Sequence, residues 1–132
     1  MRYTPENITE LKENEIFVFG SNLAGRSGAG AAKTAVDKFG AEYGVGEGLT
    51  RQSYALPTKD ERIQTLPLCK IEFHIGRFLR FAINEPNKIF LTTKIGCGLA
   101  FLQIKDIAPL FFGFGTISDN VILPKEFWDY SE

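Results

Sequence analysis

The sequence predicts one α/β domain built on a mixed, largely parallel sheet, and three observations predict it. Glu15-Ile16-Phe17-Val18-Phe19 is apolar at every position after the first, as expected of a strand covered on both faces. Stretches of this kind alternate with segments of three- and four-residue apolar spacing, giving the order β-α-β-α-β-α-β. A chain of 132 residues with 44% hydrophobic content has room for one main core, so residues 1–132 form a single domain on this reading.

Each element has its own signal. Ile89-Phe90-Leu91 and Val121-Ile122-Leu123 repeat the pattern of the first strand. A shorter strand is expected between Gln52 and Pro57, ending in the turn Pro57-Thr58-Lys59-Asp60. Gly28, Ala32, Ala35, Val36 and Phe39 recur at helical steps before Gly40, a natural helix stop. Leu68, Ile71, Ile75, Phe78, Leu79 and Ala82 form a longer amphipathic helix, opened by Pro67 and closed by Glu85-Pro86-Asn87. A third helix is expected over Asp106 to Phe112 with Pro109 in or near its first turn, where a missing N–H does least harm. The segment from Ala41 to Arg51, with Gly44, Gly46 and Gly48, is the one long loop, either a mobile rim over a site or an ordinary surface connection.

Composition excludes several classes. Fifteen basic and sixteen acidic side chains give a net charge of -1 without a charged tail or stripe, so nothing announces extended nucleic-acid binding. No apolar run approaches the roughly 20 residues a membrane helix needs. The start Met1-Arg2-Tyr3-Thr4-Pro5-Glu6 has no secretory pattern, and a cytoplasmic location is expected. Cys69, Cys97 and the single His74 are too few for a disulfide framework or a Cys/His zinc site, so no metal and no cofactor is expected.

Two glycine-rich loops are candidates for chemistry. The first, Gly20-Ser21-Asn22-Leu23-Ala24-Gly25-Arg26-Ser27-Gly28-Ala29-Gly30-Ala31-Ala32, joins the first strand to the first helix. Small residues there let an anion approach backbone N–H groups at the positive end of a helix; equally, the glycines serve tight turns and close packing. Gly28 to Thr34 is close to a P-loop, but Ala32 stands where glycine must precede Lys33-Thr34. A dinucleotide fingerprint fails as well, because Lys33 occupies the place of its third glycine. The second loop, Lys94-Ile95-Gly96-Cys97-Gly98-Leu99-Ala100-Phe101, also leaves the C-terminal end of a strand. Two such loops at one sheet edge suit a diphosphate gripped from opposite sides.

In order, GSNLAGRSGAGAA, YALPTKD and TKIGCGLAFL resemble the macrodomain superfamily. Within it the resemblance is to the ADP-ribosyl-hydrolase branch, which contains terminal ADP-ribose protein glycohydrolase and the DNA ADP-ribosyl glycohydrolase antitoxins. It spans the chain from the first strand to the last. It implies a three-layer α/β/α sandwich whose partner is ADP-ribose or an ADP-ribosylated protein or DNA. By the same resemblance Gly28, Ala29 and Gly30 lie near the diphosphate and distal ribose, with Ser21 and Asn22 beside them, Asn22 toward the ribose. Gly96, Cys97, Gly98, Leu99, Ala100 and Phe101 belong to the opposing phosphate loop. Lys59 matches the lysine that is catalytic in both hydrolase groups, an amine able to attack an anomeric carbon and form a Schiff base.

One departure divides the reading. Ala100 stands where the resemblance puts an acidic partner, so an ADP-ribosyl hydrolase using Lys59 and a non-catalytic module that binds ADP-ribose or a related nucleotide both stay open. A scaffold with a vestigial pocket is the third alternative. Asp60, Glu47 and Glu61 are the candidates to supply the missing carboxylate, and the sequence alone places none of them. Cys97 lacks a specified base partner and is assigned to loop packing; Phe101 either lines the pocket or anchors the third helix. Trp128 and Tyr130 either cover the sheet or face a partner.

Overall fold

The uninterrupted apolar run of the first strand lies at the centre of a five-stranded sheet. The computed structural model describes residues 2–98 and 100–131. The elements are β1 (Glu15–Asn22), α1 (Gly30–Lys38), β2 (Gly48–Thr50), β3 (Ser53–Lys59), α2 (Leu68–Ile83), β4 (Ile89–Thr92), α3 (Ile104–Phe111), β5 (Val121–Ile122) and a closing 3₁₀ helix over Lys125–Tyr130. β1 pairs in parallel with β3 and β4, and β4 in parallel with β5, while β2 runs antiparallel to β3.

Because successive strand side chains point to opposite faces, β1 feeds two cores. Ile16 and Val18 join Tyr54, Leu56, Phe90 and Leu123 against α2, α3 and the 3₁₀ helix, where Ile75, Phe78, Phe111 and Phe127 are wholly buried. Phe17 and Phe19 point the other way, into a smaller cluster with Ala35, Phe39 and Ala41 around α1. Burial on both faces explains why β1 shows no apolar–polar alternation. Among the described residues, no helix is long and apolar enough to cross a membrane.

Four boundaries differ from the sequence expectation. The strand expected to end at Pro57 continues to Lys59, so Pro57 and Thr58 lie inside β3 and the turn starts at Asp60. Proline is tolerated there because β2 pairs with β3 only as far as Ala55, leaving no strand on that flank of Pro57. The segment expected to be loop from Ala41 to Arg51 contributes β2, a three-residue edge strand turned back onto β3 through Arg51 at a φ of 51°. The first helix begins at Gly30, after Gly28, since Ala29 is still extended at φ -158°. Finally, Pro109 lies inside α3 and not in its first turn. Gln103 and Asp106 form a capping box, with the Gln103 N–H donating to the Asp106 carboxylate at 3.0 Å, and this starts the helix earlier than Pro109 alone suggested.

Candidate functional site

The parallel part of the sheet puts the C-terminal ends of β1, β3, β4 and β5 along one edge. β1 leads through α1 toward β3, whereas β4 leads through α3 to β5 on the opposite side, so the direction of connection reverses between β1 and β4. In open α/β sheets, that reversal leaves a crevice where ligands collect. A cavity of about 770 Å³ occupies it.

Both glycine loops line this one cavity. Ser21, Asn22, Gly28, Ala29 and Gly30 come from the first, and Gly96, Gly98 and Ala100 from the second, with Lys59 at the end of β3, on the far side of β1 from β4. The loops approach closely at their bases: a Cβ on Gly20 would lie 3.3 Å from the Gly96 nitrogen and 3.4 Å from Thr58 Oγ1. Farther out they diverge. A Cβ on Gly28 or Gly98 would meet nothing within 4 Å, so both present open backbone to the cavity.

The polarity of the cavity suits an anion. Ala29 caps α1 without a side-chain hydrogen bond, the first turn holds no acidic residue, and Gly30, Ala31 and Ala32 line the cavity. Their amides are among the four that an α-helix leaves without intrahelical partners, at the positive end of its dipole. Gly30 takes a φ of 62°, a left-handed conformation that suits glycine at this sharp entry. The charged residues along the described lining are Arg26, Lys59, Lys94 and Glu6, three cations against one carboxylate in a chain of net charge -1.

No family model, curated protein or solved structure matches the chain.

The base of the cavity is held by a segment that sequence reasoning left as rim or surface loop. The Ser21 hydroxyl donates to the Gly46 carbonyl, and a Cβ on Gly46 would fall 2.6 Å from the Leu23 carbonyl oxygen, so this backbone sits hard against the first loop. Next to it Glu47 accepts from Arg77 Nε at 3.0 Å and lies 2.9 Å from His74 Nδ1, fastening the segment to α2. Asn22 has a structural duty of its own: its Nδ2 donates to the Arg26 carbonyl at 2.8 Å and its Oδ1 accepts the Arg26 N–H at 3.0 Å. Those bonds close the turn and leave the amide one further N–H and one lone pair for a ligand.

The remaining candidates separate. Lys59 lines the cavity, and its carbonyl accepts the Leu23 N–H at 3.0 Å, tying β3 to the first loop. Cys97 is not among the described lining residues and packs half-buried against the main core. Burial, with the Asp106 charge adding to it, pushes its thiol pKa up, which disfavours the thiolate and fits a packing role. Phe101 is not a lining residue either; at a φ of 63° its ring turns outward and is 86% exposed, so it neither lines the cavity nor buries itself as an anchor. Leu99 lies outside the described residues. Of the substitute carboxylates, Glu47 is bound to His74 and Arg77, Asp60 Oδ1 accepts the N–H groups of Arg62 and Gln64, and Glu61 is exposed; none lines the cavity.

Sequence reasoning missed one whole wall. Thr4 to Ile8 and Pro124 close the cavity together with Thr93 and Lys94, which the motif TKIGCGLAFL contained without a role of their own. Lys94, directly before Ile95-Gly96-Cys97-Gly98, carried a signal by position; the N-terminal segment carried none, because only the tertiary path of the chain brings it there.

Proposed function

We propose that this chain is a macrodomain-like α/β/α protein that binds ADP-ribose in the cytoplasm and removes it from protein or DNA, with Lys59 as nucleophile. The observation that carries the reading is the single cavity shared by Gly28, Gly98 and Lys59. On it, the diphosphate sits between the α1 N-terminus and the second glycine loop, where unpaired N–H groups and an excess of cations favour it. Lys59, at the end of β3 and lining the same cavity, then faces the ribose that carries the target.

In the step this implies, the lone pair of the Lys59 amine forms a bond to the anomeric carbon while the bond to the target breaks and the departing group takes up a proton. Ring opening gives a Schiff base, and water hydrolyses it to free ADP-ribose and the original amine. The wild-type protein is expected to release ADP-ribose from ADP-ribosylated DNA or protein, and Lys59→Ala is expected to lose that release while still binding free ADP-ribose.

A specific observation favours the second reading, a module that binds without turnover. Ala100 supplies no carboxylate, and the one carboxylate along the described lining, Glu6, is paired with Lys94. Calorimetric binding of ADP-ribose with no release from either substrate selects the module; no heat of binding at all refutes both readings.

A further inference from the structure

We propose that Lys94 reads the charge of the bound anion by exchange: a pyrophosphate-containing ligand takes the place of Glu6 on its ammonium, and the middle of the N-terminal segment across the cavity is released. This rests on the anion-binding reading of the cavity, though not on the anion being ADP-ribose.

The geometry supplies the parts. Lys94 lines the cavity, and its Nζ lies 3.1 Å from Glu6 Oε1 and 2.9 Å from Glu126 Oε2. The segment Thr4 to Ile8, which forms the wall beside it, is held at both ends. Thr4 donates its N–H to the Leu123 carbonyl and its hydroxyl to the Ile122 carbonyl, each at 3.0 Å, while Ile8 packs against the smaller core. Among the described residues, the polar contacts of Pro5, Glu6 and Asn7 reduce to the pair of Glu6 with Lys94.

That pair is poised to exchange. The Glu6 side chain is 78% exposed, and ion pairs so open to water are weakly held. A phosphate inside the cavity offers Lys94 a charge-assisted bond in a less hydrated setting, with the glycine-loop amides holding the same anion. The hydrogen bond to Glu126, then that to Glu6, keeps the Lys94 pKa above its usual value, and Lys94 in turn lowers that of Glu126. The ammonium is therefore charged whether or not Glu6 is on it.

Calorimetric titration with inorganic pyrophosphate and with ADP-ribose tests this in the wild type, Glu6→Gln, Lys94→Met and the double variant. Glu6→Gln is expected to bind about two- to fivefold tighter, since it removes the competitor. Lys94→Met is expected to bind more weakly, and in its background Glu6→Gln should no longer tighten. Glu126→Gln, which leaves Lys94 and Glu6 in place, should also tighten, giving a second reading should Lys94→Met fold poorly. Amide resonances of Glu6 and Asn7 should move on adding pyrophosphate to the wild type. Equal tightening by Glu6→Gln with and without Lys94 overturns the proposal, because simple repulsion then suffices; so does weakening by Glu126→Gln, or failure of both ligands to bind. Coupled pyrophosphate binding without ADP-ribose binding leaves the exchange standing and removes the ADP-ribose reading.

Discussion

Gly28 and Gly98 allow ligand approach to be separated from folding. A Cβ added at either meets no atom within 4 Å beyond the adjoining residues, and neither backbone lies in the left-handed region, so the protein leaves room for a side chain to start at each position. Substitutions of this kind usually change stability by no more than about 0.5 kcal/mol, which for a chain of this length is a melting shift of roughly 2 °C. The ligand meets a different situation, because the new side chain stands in the cavity where a phosphate oxygen must reach backbone N–H groups. One hydrogen bond to a charged acceptor contributes about 1.5–3 kcal/mol, so losing it weakens binding roughly ten- to hundredfold. Gly20→Ala supplies the contrast: its Cβ would sit 3.3 Å from the Gly96 nitrogen, and forcing the two loop bases apart should cost about 1–3 kcal/mol of stability. Thermal melts paired with calorimetric titration of ADP-ribose check all three variants. If Gly28→Val and Gly98→Val melt with the wild type and bind ADP-ribose with unchanged affinity, the backbone-cradle reasoning is wrong.

Gly46→Ala places a methyl 2.6 Å from the Leu23 carbonyl oxygen and 2.7 Å from that of Asn22, and is expected to lower stability by about 1–3 kcal/mol in urea unfolding and to disturb the Asn22 amide resonances. Burial, with the Glu47 charge adding to it, pushes the Tyr54 hydroxyl pKa up to about 12, so one of the four tyrosines should titrate there in absorbance at 295 nm, and Tyr54→Phe should remove that step. The raised pKa means the folded state holds the proton longer. Its stabilising contribution is thus complete below about pH 10 and is lost as pH rises toward 12, on the order of 2 kcal/mol in all by urea unfolding across that range.

What the sequence made legible follows from which interactions are local. β1 and β4 carry their signals in consecutive apolar side chains and α2 in its three- and four-residue apolar spacing, and the structure has all three within a few residues of the expected bounds. β2 was not legible, because Gly48-Leu49-Thr50 has no strand pattern of its own and pairs only because β3 offers Ser53 to Ala55 as a template. Pro109 misled for a related reason: proline's preference for the first turn is weak beside a capping box set by Gln103 and Asp106. At the site, the glycine loops were visible because glycine itself is the signal. The opposite wall was not, since Thr4 to Ile8 is ordinary in composition and gains its place through Thr4 on β5 and Glu6 on Lys94.

The charge balance of the whole chain hides the character of its cavity for the same reason. A net charge of -1 argues against a general anion-binding surface, yet the described lining gathers Arg26, Lys59 and Lys94 around the uncapped end of α1. The three cations are not equivalent. Lys94 is neutralised by two carboxylates, whereas among the described residues Arg26 and Lys59 enter no ion pair. The field an approaching anion meets is therefore set by Arg26, Lys59 and the helix amides, and it is concentrated by the low-dielectric walls of the cleft. Lys94 adds its charge only once an anion is close enough to displace Glu6. An anion that stops short of Lys94 gains the first contribution without the second, so Lys94 adds to any selectivity for a diphosphate over a monophosphate that the two glycine loops set.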